Sequence, residues 1–426
     1  MKYINYILPN KAKIRYVKNK INQATHINVN FDCGARCDTI AGLAHFTEHM
    51  FFAGTKDLSK EDITKLDSQF PYSNAYTNLT EICFCANMLE KDIPNYLDLL
   101  AKKITESNFT MKAVKEECKI IQQEITRASD RNKMYAHYAN MYNITGLRAY
   151  KEYVMGSKES VAKITPKEIK EFVKKYFVKE NVKVYITTPM SFKKVKKLLI
   201  THLINKLNSN PDFKPLDSCY ADIKSTDFFK VEKKAIDKCY LMINFLAKPC
   251  KTDEMEFRAK YNVVHSLLND SVAGIINDLR IKKSLVYSAD FSSSFNDKYF
   301  RISFNTECEA KNINEILKTS AEYFKNIHLN GFSQQVLDRV KVIDDYYFKS
   351  YEPTVVYYLN NLYYFDRHSR IYDNKYYSER YKNTTLQQCN EIFNYFYNEH
   401  KISVTIYGNA DKKELLTKTE FQNLYK

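Results

Sequence analysis

A chain of 426 residues is about two to three times the size of a typical single domain, so two domains are expected. Its 44% hydrophobic and 27% charged residues describe an ordinary globular protein, and with no run of eighteen apolar residues a membrane-spanning helix is not expected. The net charge of +15 is dispersed through every predicted helix, without a zinc-finger, RNP or helix-turn-helix signature. A specific nucleic-acid partner is therefore not expected, whereas an acidic partner stays open.

The N-terminal segment lacks a signal h-region and an Arg/Ser-rich transit stretch, which predicts a cytoplasmic protein. Alternating apolar residues over 13–33 (Ile14, Tyr16, Ile27, Val29, Phe31) predict a pair of strands. A helix follows from about Ala41 to Phe52 and stops at Gly54. Ser59-Lys60-Glu61-Asp62 reads as a capping box that opens a second helix, and Asn74 to Met88 reads as a strand. Amphipathic helices are expected over 91–106 and 111–129, then one from Thr165-Pro166 and a short strand over Val182 to Thr188.

Between Leu207 and Asp222 the periodicity lapses into Asn-Ser-Asn-Pro-Asp-Phe-Lys-Pro, the best linker in the sequence. It divides the chain into 1–206 and 223–426. The second part repeats the order of the first: a strand (Tyr240 to Leu246), helices through Arg280, strands (Val286 to Phe295, Phe300 to Asn305), helices from Asn312 and Ser333, and a last strand (Ile402 to Ile406). Strands and helices in segregated runs predict an α+β fold with one mainly antiparallel sheet in each half. Ten cysteines follow no framework spacing and are expected as thiols. Cys33 with Cys37, or Cys83 with Cys85, lacks the second pair that a structural zinc site needs.

The most informative stretch is His45-Phe46-Thr47-Glu48-His49. At about 100° per residue, His45 and His49 lie one turn apart on one helical face, with Glu48 beside them. Histidine is scarce, with nine in the chain, so the pattern is not a by-product of composition. A catalytic zinc takes three protein ligands and keeps a position for water, for which a nearby carboxylate can serve as base. The chemistry indicated is metal-assisted hydrolysis.

With its flanks, from Gly42 to Thr55, this motif closely resembles that of the pitrilysin family of inverzincins, which includes mitochondrial processing peptidases and insulin-degrading enzyme. Asn74-Ala75-Tyr76-Thr77 looks like the family's N-A-x-T edge strand, Glu117 with Glu124 like its E-x6-E helix, and Leu279-Arg280 through Tyr287 like its L-R-x-K-x-x-L-x-Y segment. The resemblance implies one zinc per chain held by His45, His49 and Glu117, with Glu48 as general base. Glu117 and Glu124 share a helix face two turns, or roughly 10 Å, apart, so only one can reach the metal; the other, taken as Glu124, would orient a ligand from behind. Glu116 is a rival on another face.

The resemblance further implies a clamshell of two similar halves, with peptide added as a strand beside Asn74, Ala75 and Thr77. Arg280 and Tyr287 would donate to the oxyanion. Ile82 and Phe84 stand where the family commonly has Thr and Tyr, and the short interval from His49 to Glu117 resembles the poxviral core-maturation metallopeptidases. The expected activity is zinc endopeptidase toward a peptide or protein substrate, with a homodimer or heterodimer possible. The alternatives are a viral maturation protease of the same chemistry and a non-catalytic scaffold subunit of a peptidase dimer.

Overall fold

The computed structural model describes residues 3–128, 132–215, 221–250, 253–351, 354–368, 370–371, 373–398 and 402–425. Residue 129 of the expected long helix and residues 216–220 of the expected linker lie outside them. The chain forms two compact units. Unit 1 comprises Met1–Arg131, Arg148–Cys219 and Glu352–Ile371; unit 2 comprises Asn132–Leu147, Tyr220–Tyr351 and Tyr372–Lys426. Among the described residues no helix is long and apolar enough to cross a membrane.

Unit 1 contains strands β1 (Tyr3–Ile7), β2 (Lys13–Lys18), β3 (Ala24–Phe31), β4 (Tyr72–Thr77), β5 (Ile82–Leu89) and β6 (Val182–Thr188). They form one sheet in the order β1-β2-β6-β3-β5-β4, antiparallel except for β2 beside β6. The stretch from Asn74 to Met88, expected as one strand, is a hairpin. Asn78 breaks it: its side-chain Oδ1 accepts from the backbone N–H of Thr80 at 2.8 Å and of Glu81 at 2.9 Å, an Asx turn that reverses the chain. One sheet face carries Val29, Phe31, Ile82, Phe84 and Ala86 into a core shared with the helices. Helix Val355–His368 covers part of the other face, where Tyr363 stacks on Tyr185 at 4.0 Å and Asp366 pairs with the buried Arg15.

Unit 2 contains β7 (Phe229–Lys233), β8 (Cys239–Ala247), β9 (Val286–Phe295), β10 (Phe300–Cys308) and β11 (Ile402–Gly408), in the order β7-β11-β8-β10-β9. Only β7 and β11 run parallel. This order reproduces β2-β6-β3-β5-β4 of unit 1 strand for strand, and in each unit the strand beside the edge leads through a 3-10 turn into two long helices: Ile93–Glu106 and Met111–Ala128, or Ile313–Asn330 and Gln334–Ser350. Helix Asn132–Thr145 packs on β8 and β11, where Asn140 and Asn244 exchange amide hydrogen bonds of 2.9 and 2.8 Å. The fold is mixed α+β, as expected.

The motif helix spans Leu43–Met50, and its start is held from a distance. Gly42 adopts φ +91°, and a Cβ there would lie 2.5 Å from the carbonyl oxygen of Met155, so a larger residue is excluded on both counts. Asp38 does what an adjacent capping side chain usually does: its two oxygens accept from the N–H groups of Gly42 (2.9 Å) and Ala44 (2.8 Å), while Arg148 donates to its backbone carbonyl. Burial pushes the Asp38 carboxyl up to about 7, against the opposing pull of these N–H groups and Arg148. Asp38→Ala should therefore lower stability by about 1–2 kcal/mol in urea unfolding, the range for a lost cap, and Asp38→Asn, which keeps one acceptor, should lose less.

Candidate metal centre

His45 and His49 project side by side from the motif helix, ring centroids 4.7 Å apart. Their Nε2 atoms converge on one carboxylate oxygen, Glu124 Oε2, at 4.0 Å from His45 and 3.3 Å from His49. One ligand atom from each of these three residues lies within 4.8 Å of the others. Glu124 is on helix Met111–Ala128, which packs against the motif helix.

Glu117, expected as the third ligand, lies outside this group. Its Oε2 sits 3.4 Å from Nδ1 of His49, on the side of the ring away from Glu124, and its other oxygen pairs with Lys60. The roles expected of the two glutamates are thus exchanged in the geometry. Seven residues are about 700° of rotation, so both face the motif helix, but their separation along the axis lets only the C-terminal one meet both Nε2 atoms. Glu116 is exposed and takes no part.

The electrostatics follow from burial. Burial, and next the neighbouring His49, depress the His45 imidazole to about 3, so it is a neutral base; its buried Nδ1 has no hydrogen-bond partner among the described residues. For His49 burial opposes the charged ring, but the Glu117 hydrogen bond and the charges of Glu124, Glu48 and Glu117 outweigh it and raise the pKa. Burial raises Glu48, whose Oε2 accepts from the Thr77 hydroxyl at 2.5 Å. Burial also opposes ionisation of Glu117, yet His49 and Lys60 carry it below its ordinary value. Two imidazole nitrogens and a carboxylate oxygen are the borderline donors that suit zinc.

Thr77 ends β4, the edge of the sheet, so the proposed base is tied to the strand expected to receive peptide. Asn74 is exposed on that strand and Ala75 partly buried. The ties made by Thr77, Lys60 and Asp38 carry no spacing signal and escaped the sequence reading. Arg280 and Tyr287 belong to unit 2. Arg280 lies in a π-helical turn, Asn277–Lys282; Tyr287 is the second residue of β9, 80% exposed, with the Arg280 guanidinium 5.6 Å from its ring centroid. The structure brings these two together at a surface, not in a core.

Residues 13–150 match the family model described as insulinase, peptidase family M16, and residues 163–342 match the one described as the peptidase M16 inactive domain. A Bacillus subtilis protein named uncharacterized zinc protease YmxG is 23% identical over 79% of this chain and 81% of its own length. The mitochondrial-processing peptidase subunit beta of Saccharomyces cerevisiae is 27% identical over 40% of this chain and 37% of its own. Among solved structures, the first half of the periplasmic protease PqqL from Escherichia coli has the same fold: TM-score 0.79 at 17% identity, covering 100% of this chain and 96% of that one. With consecutive matches to both domain types, the chain belongs to peptidase family M16, the pitrilysin and insulinase family.

Proposed function

We propose that this protein is a zinc-dependent endopeptidase. The observation that carries the reading is the convergence of His45, His49 and Glu124 beside a buried glutamate, Glu48, that is hydrogen-bonded to the sheet edge. The three converging residues would hold the metal. When bound, zinc supplies Lewis acidity that polarises a carbonyl and makes a water more acidic. Glu48 keeps Oε2 on Thr77 and takes up a proton at Oε1, then returns it to the leaving amine. Burial, which raises its pKa, suits it to both tasks. Glu117, held by Lys60, fixes the orientation of the His49 ring through Nδ1.

Peptide would add to the open edge of β4, its main chain pairing with the strand that includes Asn74, Ala75 and Thr77. Arg280 and Tyr287, exposed and in cation–π contact, would donate to the oxyanion. A second reading, a non-catalytic subunit that presents substrate to a partner chain, draws on the inactive-domain match over 163–342 and on a relative named as a subunit. The four side chains at the metal centre favour catalysis, because a presenting subunit has no chemical need for a ligand set and a base together.

Elemental analysis should find one zinc per chain, lost in both His45→Ala and His49→Ala, and chelation should abolish peptide hydrolysis; full occupancy in either variant would defeat the assignment. Glu48→Gln should keep zinc and lose turnover by at least about a hundredfold, the scale of general-base catalysis. Retained turnover would place the base elsewhere. In competition with a chelator, Glu124→Gln should weaken zinc binding more than Glu117→Gln; the reverse order would return the third-ligand role to Glu117. Tyr287→Phe should lower kcat more than it raises KM, and an unchanged kcat would remove the phenol from the chemistry.

A further inference from the structure

Strand β4 is paired with β5 on one side alone, and its side chains alternate: Tyr72, Asn74 and Tyr76 are exposed, Ser73, Ala75 and Thr77 partly buried. A strand with a ladder on one side frays readily unless its side chains hold it. Both ends of β4 are held from the partly buried face. At one end the Thr77 hydroxyl donates to Glu48. At the other the Ser73 hydroxyl donates to Asp67 Oδ1 at 3.1 Å, and Asp67 Oδ2 pairs with the ammonium of Lys103.

Lys103, on helix Ile93–Glu106, is 3% exposed, and its ammonium lies 4.2 Å from the ring centroid of Phe52, just beyond the motif helix. Burial draws its pKa down, against the pull of Asp67. Lysines are rarely buried so fully, and apolar side chains of similar volume often stabilise a fold as well as a buried ion pair does. What the pair adds is direction. The buried ammonium admits the Asp67 carboxylate in one place, and that place fixes the acceptor for Ser73. Asp67 ends helix Lys60–Asp67, whose first residue pairs with Glu117 beside His49. Seven residues at 1.5 Å each put roughly 10 Å between those two ties, so one short helix reaches from the surroundings of the metal centre to the far end of β4.

We propose that Lys103, Asp67 and Ser73 form a positioning relay for peptide hydrolysis, in which the buried ammonium holds the N-terminal half of β4 in the line that a peptide main chain needs in order to pair with it. The proposal rests on the reading that peptide adds to the open edge of β4. The two ends of the strand then serve different steps. Thr77 is tied to the base, so its contact bears on turnover. Ser73 lies four residues away, roughly 13 Å along the strand, so its contact bears on binding of the peptide main chain.

The test uses the zinc-loaded full chain. Ser73→Ala removes the hydroxyl and leaves the buried pair intact, Ser73→Thr restores a hydroxyl on a strand-forming residue, and Lys103→Met removes the ammonium. Hydrogen exchange over 72–77 should be at least about threefold faster in Ser73→Ala and Lys103→Met, the scale of one lost hydrogen bond, and unchanged over 82–89. In hydrolysis of a peptide the same two variants should raise KM at least about threefold with kcat within about twofold, and Ser73→Thr should match the wild type. The double variant should be no worse than the worse single one, since both act on one relay. A lower melting temperature with exchange over 72–77 and KM unchanged would overturn the proposal, as would a fall in kcat with KM unchanged. Faster exchange with KM unchanged would overturn the role in peptide binding. If Lys103→Met does not fold, the Ser73 pair of variants decides. A wild type that hydrolyses no peptide would refute the peptidase reading, while exchange over 72–77 still decides whether the relay holds the strand.

Discussion

The contact between two helices, Leu43–Met50 and Met111–Ala128, is the constraint on which the chemistry depends. It sets three carboxylates, Glu48, Glu117 and Glu124, around two imidazoles, with Lys60 as the paired cation. Like charges gathered in a partly dry contact repel, and burial adds a desolvation cost for Glu48 and Glu117. A divalent cation, if His45, His49 and Glu124 held one as proposed, would offset that repulsion. The groups around the proposed ligands are each held from elsewhere: Lys60 on Glu117, Thr77 on Glu48, and Asp38 at the start of the helix itself.

The histidine pair was legible because spacing alone puts two imidazoles on one face. Which glutamate adjoins both rings was not. Glu117 and Glu124 occupy the same face by helical arithmetic, and only the crossing of two helices, a tertiary fact, selects between them. The hairpin within 74–88 escaped for a related reason: Asn78 makes its turn with its own side chain, in a stretch where apolar alternation resumes at once, so periodicity reads straight through it. Helix Asn132–Thr145 was missed because its buried face mixes Ala136, Met141 and Ile144 with the polar Asn140 and Thr145, which weakens the 3.6-residue signal.

The repeat between the two halves was visible as an order of elements and became certain only as a strand order. Each sheet places its single parallel pair in the same position, and in each a segment from beyond the second long helix belongs to the other unit: Asn132–Leu147 with unit 2, Glu352–Ile371 with unit 1. The exchange has a packing cause in unit 1, where Leu359 and Leu362 cover Val17 and Tyr185 on a sheet face that the unit's remaining helices leave to others. A domain boundary drawn at the best linker cannot see such an exchange, because composition marks where the chain is loose and not where it docks.

Equal topology with unequal chemistry also locates where function was written. The helix that occupies the motif helix's place in unit 2, Glu254–Leu268, carries one histidine, His265, whose Nε2 faces the carbonyl of Phe291 at 3.0 Å. No i,i+4 partner accompanies it, and it is used as a structural hydrogen-bonding group. The corresponding edge strand instead opens at Val286–Tyr287, with the Arg280 guanidinium 5.6 Å from the phenol ring centroid. Within one architecture, then, unit 1 places its ionisable groups beside the edge strand in the interior, and unit 2 places cationic and phenolic donors beside its edge strand on the surface. The first arrangement suits holding a metal and moving a proton; the second suits reaching for a polar main chain. The contrast follows from which side chains stand at corresponding positions of the two sheets, and not from any difference in strand order.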